Sequence, residues 1–507
     1  MPPLVAIFAW PFVSTVLFQK YTILVAVTAT ILGGYLLLPH GTVFDLPLLP
    51  ALDKYSVPAL TALLLVLALP QKKKSVPFLG LVPNHSVLNI LLLGLLVGTA
   101  LTVLTNSDAV RYGPTVLPAM RPYDGFSIVL SSFVMVLPLI LGRSLFFTQK
   151  GRRVLLFALV LGGIAYSFLA LFEVRMSPLL NQWIYGYFPH SWIQHKRGGG
   201  WRPIVFLQHG LFLGLFFAMC TLAAVGAMRA SARHAGLLIF AVVWLFATLV
   251  LVKSLGALLI AVALLPVVLF LSRRMQITVA ALICAAFLTY PVIRGSDVFS
   301  PVRVEQAFAR ISTERAQSLR VRMEHEQRLL DKAQERPLFG WGGWGRWRIF
   351  DEVTGYDVTI SDGHWVITIS EGGWVRYVAI YGLLTGPIFL LLWRQRRDPA
   401  DIETSVLCVI LAGNMIDLVP NSGLTPLTFL IAGALWGRVE AGQSDQAVTQ
   451  PDGSRETVTK PAPVYARSFE MPLIEPYNRP TQKGLQDSKA GPAYMRPPQA
   501  DRKPSVK

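Results

Sequence analysis

The sequence predicts an all-α fold: a polytopic integral membrane helix bundle of about 12 transmembrane helices, with a large helical loop on the outer face and a disordered C-terminal tail. Three observations predict it. Of 507 residues, 53% are hydrophobic and 15% charged, with a mean hydropathy of +0.51, whereas a soluble globular chain carries about 25% charged residues. Apolar runs near the roughly 20 residues needed to cross a bilayer recur almost end to end. Lys and Arg cluster in every second gap between those runs.

The runs lie near 3–19, 21–38, 56–70, 86–105, 125–146 and 153–172, then 203–227, 235–252, 255–271, 275–293, 373–393, 404–420 and 423–438. They make twelve or thirteen crossings, because only Gln19 and Lys20 separate the first two, which read as a hairpin or as one interrupted helix. The first run lacks the basic n-region and small-residue cleavage site of a signal peptide and is expected to be retained. Clusters at Lys72–Lys74, Arg143–Arg153, Arg229–Arg233, Arg273–Arg274 and Arg394–Arg397 are assigned to the cytoplasm by the positive-inside rule. The net charge of +17 therefore has a topological explanation, with no nucleic-acid partner expected. Cys220, Cys284 and Cys408 all fall in apolar runs and form neither a disulfide framework nor a metal-ligand spacing.

This topology sends residues 39–55, 173–202 and about 294–372 to the outer face and divides the chain into a membrane domain, 1–438, and a Pro-, Ser-, Gln- and Lys-rich tail, 439–507, expected to be cytoplasmic and disordered. In the longest outer segment, apolar residues from Ala307 to Ala333 recur at three- to four-residue spacing, with Arg310, Arg315, Arg320, Arg322 and Arg328 between them. One or two amphipathic helices near the membrane surface follow from that pattern. Next comes Arg336-Pro337-Leu338-Phe339-Gly340-Trp341-Gly342-Gly343-Trp344-Gly345-Arg346. Its proline ends the helix, its glycines permit close backbone approach, and its tryptophans read equally as sugar-stacking faces or interface anchors. Ser361-Asp362-Gly363-His364-Trp365 then places one imidazole at the mouth of a span. His209, inside an apolar run, and Lys253, in the short gap between two, are expected to face the bundle interior in packing or turn roles.

These features together resemble the O-antigen ligase and Wzy-type polysaccharide polymerase superfamily over roughly residues 150–440. The resemblance rests on Trp201-Arg202-Pro203 leading into a central span, Arg322 followed by Pro337-Leu338-Phe339-Gly340-Trp341-Gly342, His364 before a span, and the turn Lys253-Ser254-Leu255-Gly256-Ala257. Glu173-Val174-Arg175-Met176-Ser177-Pro178 and Gly198-Gly199-Gly200 look most like the exopolysaccharide-polymerase branch. The chain departs from the family pattern where Trp365 follows the histidine, where Glu371-Gly372-Gly373 comes about two residues early, and where Gln208-His209-Gly210 replaces Asn-Pro-Asn.

The resemblance implies transfer of glycan from an undecaprenyl-diphosphate-linked oligosaccharide to an acceptor sugar at the periplasmic face of a bacterial inner membrane, without metal or cofactor. Arg202, Arg320 and Arg322 would clamp the diphosphate, with Arg175 and Arg197 as weaker candidates, since guanidinium binds phosphate oxygens bidentately and keeps its charge. His364 would be the general base. Glu371 would orient the ring or an acceptor hydroxyl, and Asp417 is a weaker polar candidate. The partners are the lipid-linked donor and membrane lipid, with a chain-length-regulating membrane protein left open. The alternatives are ligation to a different acceptor and, from another class, a polysaccharide or lipid-carrier transporter. A transporter is disfavoured because the halves show no internal repeat.

Overall fold

The computed structural model of the chain describes residues 1–46, 48–68, 77–197, 199–231, 235–296, 313–360 and 362–448. It is a helix bundle whose helices follow the apolar runs closely. The first half comprises α1 (Pro3–Lys20), α2 (Ile23–Leu37), α3 (Ser56–Ala68), α4 (Ser86–Leu104), α5 (Pro122–Leu145) and α6 (Gln149–Met176), then a short α7 (Leu180–Tyr185). The second half comprises α8 (Gly210–Ala230), α9 (Ala235–Leu251), α10 (Leu255–Phe270), α11 (Arg273–Arg294), α12 (Thr313–Glu335), α13 (His364–Arg394), α14 (Ile402–Asp417) and α15 (Pro426–Val448). Two small antiparallel hairpins, Val110–Tyr112 with Thr115–Leu117 and Lys196–Arg197 with Gly200–Trp201, decorate one end.

Among the described residues, seven helices are long and apolar enough to cross a membrane: α1, α4, α5, α6, α8, α11 and α13. The apolar helices α2, α3, α9 and α10 have 13 to 17 residues. At 1.5 Å per residue they cover roughly 20–26 Å, short of a hydrocarbon core of about 30 Å. Helix α15 runs to Val448, ten residues beyond the boundary read at 438. The rest of the expected tail, and the start of the expected amphipathic pattern before Thr313, lie outside the described residues.

Close helix approach is bought with glycine. A Cβ on Gly142 of α5 would strike the Leu430 carbonyl of α15, and Cβ atoms on Gly433 and Gly437 would strike the carbonyls of Leu139 and Arg143. Small residues four apart let two backbones touch where lipid supplies no hydrophobic drive. The basic connections gather at one end. There Arg143 meets Glu440 at 2.6 Å and donates to the carbonyls of Gly80 and Val82, Arg153 meets Glu403 at 2.7 Å, and Arg152 pairs with Asp401.

At the opposite end, residues 203–209, read from sequence as the start of a span, are irregular and mostly buried. Backbone there must find partners inside the protein. Ile204 and Val205 N–H donate to Glu173 Oε2 (2.9 and 2.7 Å), Leu180 N–H donates to Glu173 Oε1 (3.0 Å), and Lys54 Nζ donates to the Phe206 carbonyl (2.9 Å). His209 is consequently not inside a span: it caps α8, its Nδ1 accepting from Leu211 N–H. Lys253 (φ 58°) likewise occupies the tight turn between α9 and α10.

Candidate functional site

Helix α13 is two helices joined at Gly373, whose φ of 66° and ψ of −169° are not helical. In a straight helix, residues 364 and 381 would stand roughly 25 Å apart. Instead His364 Nδ1 lies 2.6 Å from the Tyr381 hydroxyl, so the arms fold back on each other. The second arm coincides with the apolar run read at 373–393; the first, 364–372, lies beside it and carries His364 back to Tyr381.

The Pro337–Gly342 segment fills the break. Trp341 and Gly342 N–H donate to the carbonyls of Ser370 and Glu371 (2.9 and 2.8 Å), and Trp374 and Val375 N–H donate to those of Pro337 and Leu338 (2.8 and 3.2 Å). Backbone groups freed by the reversal are thus satisfied by this loop. Gly340 (φ 66°) lies against the Glu371 carbonyl, where no side chain fits. Arg346, fully buried, donates to the carbonyls of Trp341, Asp108 and Pro118 at 2.8–3.1 Å and so ties the segment to the loop after α4.

His364 is fixed on three sides. Its backbone N–H donates to the carbonyls of Leu418 and Asn421, both at 3.1 Å, in the turn between α14 and α15. Thr368 Oγ1 lies 3.1 Å from Nδ1. Tyr381 is fully buried and packs on Tyr377, whose hydroxyl donates to the Phe287 carbonyl (3.1 Å). The ring lines a pocket of about 340 Å³ with Asp53, Tyr55, Ser131, Ser422 and Thr425. Across the 418–421 turn lies a larger apolar groove of about 660 Å³ between α10, α11 and α14, with Tyr290, Asp417 and Asn421 in its lining.

Arg322 of α12 pairs with Asp362, two residues before His364, at 3.0 Å. The helix that carries it is anchored by Arg294, buried at the end of α11, which donates to the Met323 carbonyl (2.8 Å) and Gln327 Oε1 (2.9 Å). Glu326 sits 3.9 Å from Arg294. Burial pushes its carboxyl up to about 7, Asp362 adding to the rise while Arg294 and Arg322 oppose it. Lys54, on the loop that walls the His364 pocket, is brought down to about 7 by burial.

The structure links Arg322, through Asp362, to the segment that carries His364, and gives Arg202, Arg320 and Glu371 other partners. Arg202 is buried and donates to the Lys253 carbonyl (3.0 and 3.3 Å), beside a ring cluster of His190, His195 and His209 with centroids 5.0–5.6 Å apart. Gly256, three residues past Lys253, lines the apolar groove. Arg320 is exposed and pairs with Glu324 on its own helix. Arg175 is exposed at the end of α6, and the Arg197 side chain lies outside the described residues. Glu371 does not touch the His364 ring. It faces a separate pocket of about 170 Å³ with Thr99, Thr102, Trp344 and Arg376, whose guanidinium is 3.7 Å away. No group of three His, Cys, Asp or Glu positioned for a metal ion occurs among the described residues.

Sequence reasoning missed Tyr381, Thr368, Asp362, Arg294 and Asp53. Thr368 was readable, four residues from His364 on one helix face. Arg294 reads as an ordinary snorkelling end, and nothing local marks Tyr381.

No protein-family model matches this sequence, and no curated protein is significantly similar to it.

Proposed function

We propose that this protein is a membrane glycosyltransferase of the O-antigen ligase and Wzy-type superfamily, acting at the periplasmic face of a bacterial inner membrane to polymerise undecaprenyl-diphosphate-linked oligosaccharides. In this reading the shorter apolar helices complete about twelve crossings. The observation that carries it is His364, held on Nδ1 beside a pocket that Asp53, Ser131, Ser422 and Thr425 help to line, with Arg322 paired to Asp362 two residues earlier in the chain and an apolar groove behind the same turn.

The acceptor hydroxyl occupies the pocket with Asp53, Ser131, Ser422 and Thr425 as hydrogen-bond partners, and His364 Nε2 takes its proton as the oxygen attacks the anomeric carbon. The bond from that carbon to the diphosphate oxygen breaks, and its electron pair leaves with undecaprenyl diphosphate. Arg322 meets the developing charge, and the apolar groove receives the isoprenoid tail. Preorganised cations at a low-dielectric boundary stabilise such a leaving group without reorganising at the moment of reaction. The proton held by the imidazolium then passes to the released diphosphate. The acceptor pocket is also walled by Pro50, Val134, Met135 and Phe429, and this apolar wall supports a lipid-linked acceptor.

The test is glycan transfer by purified protein in liposomes with a polyprenyl-diphosphate oligosaccharide and a chelator. Longer lipid-linked glycans are expected. His364→Ala should lower kcat by about 10²–10⁴-fold and Arg322→Ala by about 10²–10³-fold, both in correctly inserted protein. Unchanged rates overturn the assigned roles. Transfer only to an acceptor other than a polyprenyl-diphosphate-linked glycan makes the protein a ligase, and carrier translocation without transfer makes it a transporter.

A further inference from the structure

We infer that Thr368 and Tyr381 form a directed proton chain that fixes His364 as the Nδ1–H tautomer, leaving the Nε2 lone pair as the ring's basic site; this rests on the proposed role of His364 as the base.

The inference comes from counting protons among four atoms. The Thr368 hydroxyl donates to the His364 carbonyl at 2.8 Å, one helical turn back. With its single proton on this shortest of its three contacts, Oγ1 accepts from its two other neighbours, His364 Nδ1 at 3.1 Å and Tyr381 Oη at 3.3 Å. Thr368 and Tyr381 are 2% and 0% exposed.

With the Thr368 proton so placed, two arrangements are open to the 2.6 Å contact between Nδ1 and Tyr381 Oη. If Nδ1 is bare, Tyr381 gives it its only proton. Thr368 Oγ1 then faces Nδ1 and Tyr381 Oη with lone pairs on both sides of each contact. In a buried setting that is repulsive and leaves acceptors without donors. If Nδ1 carries the proton, it donates to Tyr381 Oη, Tyr381 donates to Thr368 Oγ1, and Thr368 donates to the His364 carbonyl. Each donor then has one acceptor, each hydroxyl both gives and takes, and the Thr368–Tyr381 contact becomes a hydrogen bond. Among the described residues, both side-chain contacts of the imidazole fall on Nδ1. The chain therefore ends in a lone pair on Nε2, the form a base needs. Tyr381 and Thr368 are positioning residues: they act through the ring and not on substrate.

A consequence distinguishes this from simple packing. Removing the threonine oxygen while keeping the tyrosine does not merely weaken the site; it reverses it. Deprived of its acceptor, the Tyr381 hydroxyl turns to Nδ1, and the ring proton moves to Nε2, where it blocks proton uptake.

The experiment is solid-state NMR of full-length protein, ¹⁵N-labelled at histidine, in bilayers, with the His364 signals among eight histidines assigned by difference from His364→Gln. Wild type should show a protonated Nδ1 and a bare Nε2. Thr368→Val should invert the pair and lower kcat by about 10²-fold or more with donor KM unchanged, since a wrong tautomer disables a base that is still in place. Thr368→Ser should restore both signature and rate. A protonated Nε2 in the wild type, or an uninverted signature in properly inserted Thr368→Val, overturns the proton chain. A wild-type signature as expected together with full transfer activity in His364→Gln instead overturns the role of His364 as base and leaves the chain standing.

Discussion

At the scale of single residues, environment separates arginines that look alike in the sequence. Arg320 and Arg322 lie on the same amphipathic helix, yet Arg320 pairs with Glu324 in solvent while Arg322 reaches the segment that carries His364. An exposed pair contributes less than about 1 kcal/mol, so a diphosphate can displace Asp362 from Arg322 at small cost. Arg320→Ala should leave transfer within about twofold of wild type by this reasoning, whereas Arg322→Lys should not rescue Arg322→Ala, because a point charge lacks the planar fork. Steady-state kinetics of the three variants decides both. Glu326 makes a pH prediction. Its carboxyl is raised from the ordinary 4.5 to about 7 by burial, so between those values the docked helix holds more protons than the undocked one. Docking of α12 is therefore strongest below about pH 4.5 and weakens as pH rises through 7. At about 1.4 kcal/mol per pH unit, the loss is on the order of 3 kcal/mol. Amide protection factors across residues 323–330, with the intrinsic pH dependence of exchange divided out, should fall over that window in wild type and stay flat in Glu326→Gln; a flat wild-type profile would falsify the assignment.

At the scale of elements, the reversal at Gly373 and the Pro337–Gly342 loop are one construction. Glycine is required at 373, both for its positive φ and because a Cβ would strike the Leu338 backbone. Gly373→Ala should destabilise the outer segment by about 1–3 kcal/mol and expose residues 337–348 to limited proteolysis, with the second arm still inserted. Arg346 gives a second handle on the same construction. Arg346→Ala would leave several buried carbonyls without donors, costing about 1–3 kcal/mol each at most, and should lower the thermal midpoint more than Arg348→Ala, whose partner Asp357 is on the surface. The glycines and the proline were legible as loop signals. That they plug a broken membrane helix was not, because the partners are some 30 residues apart and meet only through backbone atoms, which carry no sequence signature.

At the scale of the whole molecule, the two ends do different things. One end is locked by charge: Glu440 accepts from Arg143 and from the N–H groups of Asn84 and His85, binding α5, α15 and the loop before α4 into one unit. Glu440→Ala strands a buried guanidinium and should cost about 3–5 kcal/mol, read as a lower unfolding midpoint in detergent; a shift no larger than that of Arg153→Ala would refute the lock. The other end is built of irregular segments held by single side chains such as Glu173, Lys54 and Arg346. It carries both the pocket and the mouth of the groove. A charge-locked end opposite a loop-built end would suit the proposed transfer, which has to admit bulky glycans from one side of a membrane.

The sequence alone determined the helices, because apolar run length and alternation of basic gaps are set by bilayer thickness and charge, both of which act locally along the chain. It also singled out His364 and Arg322 as residues to watch. Tertiary structure decided everything that depends on two distant segments meeting. It folded α13 back at Gly373 so that Tyr381 touches His364, set Glu371 in a different pocket, moved His209 out of the span to its cap, and paired Arg322 with Asp362. Helical periodicity specifies which face a residue occupies on its own helix, but a reversal of 17 residues into a 2.6 Å contact depends on a loop packing into the break, and no periodicity encodes that.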